Sequence, residues 1–265
     1  MKTLLILGLL IIAIVTTYIF TSSNNLENTN QNTPINKNPS KAKKNVFIKV
    51  VTEDWKPYSY EENNIIKGTS TEIVRKVLSE TPFEYKMFLY PWARSFTMAS
   101  SEPNVLIFAI VRTEEREKLF KWVGPVAPSD KVFFYKLKSR TDIKATSIDD
   151  LKSLNIGTNQ LSDKHAYLKK NNFNKITLIS NQDATVKQLM AGRIDLLIKH
   201  ENNLKSILEN NNVSKDKIET VLLAFESKPY MAFSNKTSDQ IVEKAISAYQ
   251  KHFANKFISS KNLPK

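Results

Sequence analysis

The chain has 265 residues, 41% hydrophobic and 25% charged, enough for one large or two medium domains with ordinary globular cores. It has no cysteine, which excludes disulfides, thiol nucleophiles, cysteine metal sites and a lipid-modified N-terminal cysteine; three scattered histidines (His165, His200, His252) lack zinc-ligand spacing, so neither metal nor cofactor is expected. The formal net charge of +13 comes from lysines spread along the chain rather than clustered in runs with aromatics, so it points to solvated faces and not to a nucleic-acid surface. A positive field would also help capture anionic solutes.

After Lys2, the uncharged run from Thr3 to Phe20 reads as an export signal or a signal anchor over residues 1–21, cleaved or retained. Either way the remainder is expected outside the cytoplasm. Residues 22–45 are Asn-rich, with Pro34, Pro39 and a Lys-Ala-Lys-Lys cluster, and read as a flexible linker. Val46–Val51 is a predicted strand, followed by a polar loop that holds Trp55 and Tyr58 on either side of Pro57. The Glu53, Asp54, Glu61 and Glu62 carboxylates of this loop read as solvated charges. Thr69-x-x-Glu72 has the form of a capping box, and Ile73, Val74, Val77 and Leu78 make the apolar stripe of the helix it opens. Phe83–Leu89 alternates as a strand should, and Pro91 suits the first turn of a helix that carries Trp92 and Arg94.

Val105–Val111 is almost wholly apolar and β-branched or aromatic, the pattern of a strand buried on both faces. Thr113 then offers an N-cap, with Glu114 and Glu115 suiting the positive end of a helix. Arg116 does not suit it. A cation there costs up to about 1 kcal/mol, offset if an anion docks at the helix start, or if the Arg pairs with Glu115 on a solvated face. Further strands are expected at Lys131–Leu137, Asn155–Thr158, Ile176–Ile179, Arg193–Ile198, Val221–Phe225 and Pro229–Phe233. Helices are expected from Thr146, from Leu161-Ser162-Asp163, over Asp183–Met190 with Gly192 past its end, and over Gln240–Ala254. None of the glycines belongs to a phosphate-binding loop, so Walker and dinucleotide motifs are excluded.

A strand followed by Thr-x-x-Arg, Phe and Gly-Pro, together with the segment Ala-Gly-Arg-Ile-Asp-Leu-Leu-Ile, resembles the bacterial extracytoplasmic solute-binding proteins of family 3, the polar amino-acid type of the ABC transporters. The resemblance runs from about Val46 to the end. It implies an α/β, two-lobed, type II periplasmic-binding fold, each lobe a small, mostly parallel sheet flanked by helices. Lobe 1 would hold residues 46–130 plus 230–265 and lobe 2 residues 131–229, joined by a two-strand hinge. It also implies that Arg116 grips a carboxylate with help from Thr113, that Trp55 and Trp92 wall the ligand, and that Ser162 completes the cradle unless it is a plain N-cap. Tyr58 and Arg94 are weaker candidates, and no residue is expected to be catalytic. Three positions depart from the family: Leu161 stands in place of a Gly, Val111 in place of a Ser or Thr, and His200 in place of the Asp that binds the ligand's amino group. Neutral imidazole cannot neutralise an ammonium, so a carboxylate remains a plausible ligand group while a free α-amino acid becomes less certain. The implied function is capture of a small polar solute by a monomer, through hinge closure, for an ABC permease. A ligand sensor for a signalling partner is the first alternative and a dehydratase-like enzyme the second, although the candidate residues include no carboxylate pair for acid–base work.

Overall fold

A computed structural model describes residues 46–257; residues 1–45, where a leader and linker are expected, and residues 258–265 lie outside that range. The first half of the architecture is a five-stranded sheet. It contains β1 (Phe47–Thr52), β4 (Glu84–Leu89), β5 (Val105–Val111), β6 (Phe120–Pro125) and β12 (Pro229–Ser234), in the order β4-β1-β5-β12-β6. β1 runs parallel to β4 and β5, while β12 is antiparallel to both its neighbours. The second sheet holds β7 (Asp130–Leu137), β8 (Ile156–Asn159), β9 (Ile176–Ile179), β10 (Leu196–His200) and β11 (Ile218–Ser227), in the order β11-β7-β10-β8-β9. The chain therefore passes between the sheets twice, after Pro125 and after Ser227. A two-stranded hairpin, β2 (Tyr60–Glu62) with β3 (Ile65–Lys67), projects from the loop after β1.

Every residue of β5 is buried, as its unbroken apolar run predicts. On one face of the first sheet, Ile48, Val50, Leu106 and Phe108 pack against α1 (Thr69–Ser79) and α6 (Asp239–Phe253). On the other, Val51, Ile107 and Ala232 pack against α2 (Trp92–Ser101). The α1 stripe is the predicted one, and each such side chain contributes about 1.5–3 kcal/mol by leaving water. In the second sheet Phe134, Ile156 and Ile198 meet α3 (Asp163–Lys170). Tyr135 and Leu197 meet α4 (Gln182–Met190) and α5 (Glu201–Asn210).

Several local expectations need correcting. No helix follows Thr113: Glu114–Arg116 is a single 3-10 turn, and the chain at once enters β6, which the sequence reading missed. Arg116 turns inward there, so its supposed conflict with a helix dipole does not arise. The capping box is not made either; α1 starts from Gly68, at φ 128°, where a side chain would run into the Tyr58 carbonyl. Thr71 on this turn donates instead to the Lys67 carbonyl. The expected helix at Thr146 shrinks to one 3-10 turn, Asp149–Leu151, whose Asp150 carboxylate accepts from the Thr146 and Ser147 amides. The β2–β3 hairpin, turning through Asn63 and Asn64 at positive φ, and the α5 helix were also unforeseen.

Candidate functional site

Between the sheets, side chains from both halves meet in a belt of polar and aromatic contacts. Trp55 leaves the end of β1 and lies 4.5 Å, ring to ring, from His200 at the end of β10; Tyr58 meets the Trp55 ring edge-on at 5.1 Å. Trp55, Tyr58 and His200 are thus brought together although they come from different sheets. The Tyr58 hydroxyl accepts from Asn202 Nδ2 (3.1 Å) and lies 3.4 Å from Asp130 Oδ2. Burial, with the Asp130 charge beside it, pushes the Tyr58 phenol up to about 12. It stays protonated at neutral pH and bridges the halves as both donor and acceptor.

Arg116 forms the second bridge. The residue is 5% exposed, and its guanidinium donates to the Val111 carbonyl (2.7 Å) and reaches across to the Leu161 carbonyl (2.9 Å) in the other half. The rings of Trp92 and Phe96, 5.7 Å apart, lie together beside it, 5.3 and 5.2 Å from its central carbon, suiting a weakly hydrated, delocalised cation. Burial draws its pKa down, opposed by the charges of Asp163, Glu115 and Glu53. Leu161 presents its carbonyl by adopting φ 59°, the left-handed conformation in which glycine costs least. The next residue, Ser162, is the N-cap of α3: its Oγ accepts from the His165 amide (3.1 Å) and donates to the Asn159 carbonyl (2.7 Å).

The remaining candidates are more dispersed. Trp92 lines a cavity of about 420 Å³ with Glu53, Tyr90, Gln182 and Asn203. Thr113 lines another, of about 470 Å³, with Asp163, Tyr167, Ser227 and Tyr230. Arg94 is exposed and stacks over Tyr90 at 4.0 Å. The indole N–H groups of Trp55 and Trp92 are buried without a hydrogen-bond partner.

Sequence reasoning missed much of the belt. Glu53 is not the solvated loop charge it was expected to be; it is half-buried and accepts from Gln182 Nε2 across the sheets (2.7 Å). Burial raises its pKa, with Lys164 and Gln182 pulling the other way. Gln182 in turn accepts from Lys199 Nζ (2.7 Å), which also bonds Asn159 Oδ1 (3.0 Å). Lys199 is 1% exposed, and burial, reinforced by the neighbouring Lys164 charge, pushes its ammonium down to about 7. His200 is pushed down to about 4 by burial and by Lys164, so it is neutral at physiological pH. Burial favours protonation of Asp163 too, but Lys164 and its other neighbours hold that carboxylate well below the usual range. A lysine inside the apolar run Leu-Leu-Ile-Lys-His was the available signal for Lys199.

The fold built this way has solved counterparts. A histidine kinase sensor domain with similarity to periplasmic binding proteins superposes with a TM-score of 0.68 at 15% identity, covering 78% of this chain and 91% of that one. An ancestral arginine-binding protein bound to arginine gives 0.66 at 18% identity, over 79% of this chain and 93% of the other. A putative L-cystine ABC transporter protein from Listeria monocytogenes gives 0.65 at 21% identity, over 78% and 89%. These likenesses establish the two-sheet, helix-flanked fold expected from the resemblance. A search of curated protein sequences finds no match. The family model for bacterial extracellular solute-binding proteins, family 3, matches residues 48–255, and the chain is a member of that family.

Proposed function

We propose that this protein captures a small polar solute bearing a carboxylate and, as an exported, non-enzymatic binding protein, delivers it to an ABC permease. Residues 46–130 with 230–265 would act as one lobe and 131–229 as the other, closing about the two segments that cross between the sheets. The observation that carries this reading is the Arg116 bridge: a buried guanidinium beside the neighbouring rings of Trp92 and Phe96, joined to the turn that opens α3. Charge-assisted bonds from such a group suit a carboxylate. Trp55, Tyr58 and Trp92 would supply the walls, Thr113, Ser162 and His200 polar contacts, and Arg94 a charge at the rim.

A sensing role is the second reading, favoured by the likeness to a histidine kinase sensor domain. Calorimetric titration with amino acids, dicarboxylates and small peptides tests the binding reading. A solute bound without turnover, and lost by more than tenfold in Arg116→Ala while the circular dichroism spectrum is kept, is the expected result. Unchanged affinity in that variant would remove Arg116 from the site.

A further inference from the structure

Asp163 and Lys164 are the first two residues of α3, a place where charged side chains normally remain in water. Here the two side chains are only 6% and 10% exposed, and Lys164 Nζ lies 2.6 Å from Asp163 Oδ1. Each also faces a residue from another element. Asp163 Oδ2 is 3.2 Å from His200 Nε2 without the alignment of a hydrogen bond, and Lys164 Nζ is 5.8 Å from the centre of the Trp55 ring. Arg116 holds the same turn through the Leu161 carbonyl. The chain's own carboxylate and ammonium thus lie together where the candidate binding residues converge.

The partners already present also decide which solute charge the place can accept. An incoming ammonium needs a carboxylate free to receive it. At this turn Asp163 gives Oδ1 to Lys164 and turns Oδ2 towards His200, Glu53 is held by Gln182, and Asp130 lies beside the Tyr58 hydroxyl, while Asp54 and Asp183 line the other cavity, with Trp92. The same ammonium would face the Lys164 cation, and Glu53 is tied through Gln182 to Lys199. A carboxylate meets the opposite situation, since it can take over Lys164, the partner that Asp163 now occupies.

We propose that Asp163 is a built-in stand-in for the solute's carboxylate and Lys164 the resident cation beside it, so that the site takes carboxylates lacking an ammonium group and does so by displacing Asp163. This rests on the solute-binding reading above and narrows its substrate class. Competition from a tethered group lowers apparent affinity by the fraction of time the place is free. Removing the Asp163 charge should therefore raise affinity for external carboxylates.

The test is thermal unfolding of the full-length chain and of Asp163→Asn in sodium acetate, sodium succinate and glycine, each against sodium chloride at equal ionic strength. Asp163→Asn should show saturable stabilisation by acetate and succinate with at least tenfold higher affinity than the native chain, a smaller response to glycine, and loss of the response when Lys164→Met is added. An acetate response no greater than the native chain's, or one that survives Lys164→Met, overturns the proposal; an equal response to glycine overturns the solute class. The Lys164→Met single variant gives a reading that does not need Asp163→Asn to fold. Its tryptophan emission should shift as the ammonium leaves the Trp55 face, and unchanged emission overturns the placement of Lys164. A native chain that binds other solutes with affinities unaltered by Asp163→Asn would overturn the stand-in while leaving the binding function intact. An acetate response in Asp163→Asn beside a native chain that binds nothing in the wider panel would do the reverse.

Discussion

Phe108 and Lys199 both lie within buried strands, one in each sheet, and neither is more than 1% exposed. Phe108 belongs to a core of apolar side chains that includes residues of β1, α1 and β12 and needs nothing further to be stable there. Lys199 is held only because Asn159 and Gln182 accept from it, and Gln182 is in turn tied to Glu53 of the other half. The difference separates the two kinds of order in the molecule. Apolar packing sets each sheet, largely independent of solution conditions, whereas the belt between the sheets is made of charged and polar groups whose balance shifts with pH and salt.

The largest effect is expected from attacking the first kind of order. Phe108→Ala should cost about 3–5 kcal/mol in urea unfolding, through lost transfer energy and the cavity left behind; a loss under about 1 kcal/mol would mean the core re-forms around it. The second kind should respond to proton concentration. The folded-state pKa of Lys199 is near 7, against 10.5 for an unperturbed lysine. Between those values the unfolded chain binds a proton that the folded chain does not, so stability rises with pH across that window. Raising pH from 7 to 9 should increase the native Tm by several degrees, and Lys199→Met should flatten the rise. Equal slopes for the two proteins would show that Lys199 is not the group that titrates. The smallest effect concerns the turn that joins the two kinds of order. Leu161→Asn should stabilise by up to about 1 kcal/mol, because asparagine tolerates the left-handed conformation better and the Leu161 side chain is already exposed. A loss of stability would reveal packing by Leu161 that outweighs the backbone strain.

Periodicity and local chemistry made the sheets legible: the unbroken apolar run of β5, the α1 stripe and the glycine after α4 all appear where the pattern puts them. The Glu114–Arg116 turn was misread because capping residues look the same whether a helix continues or stops after one turn. In the belt, the meeting of Trp55 with His200 and of Arg116 with the turn before α3 lay along the family pattern. Asp163, Lys164 and Gln182 did not. A charged pair after an N-cap, or an amide at a helix start, has the sequence signature of a solvated surface. Its burial depends on a partner more than a hundred residues away for Gln182 and Glu53, and no local spacing records that.

The position of β12 has a bearing on how the molecule is made. Residues 130–227 form the second sheet as one uninterrupted stretch, but the first sheet stays open until Pro229–Ser234 has inserted between β5 and β6. It is then covered by α6, whose Tyr249 lies over Gly124, where any side chain would collide, and donates to the Pro125 carbonyl at 2.7 Å. On a ribosome the middle of the chain can therefore finish folding while its beginning still waits for the end, with two strand edges exposed to other nascent chains. Translation that stops before Pro229 would leave intact the half encoded by residues 130–227 and ruin the half encoded before it.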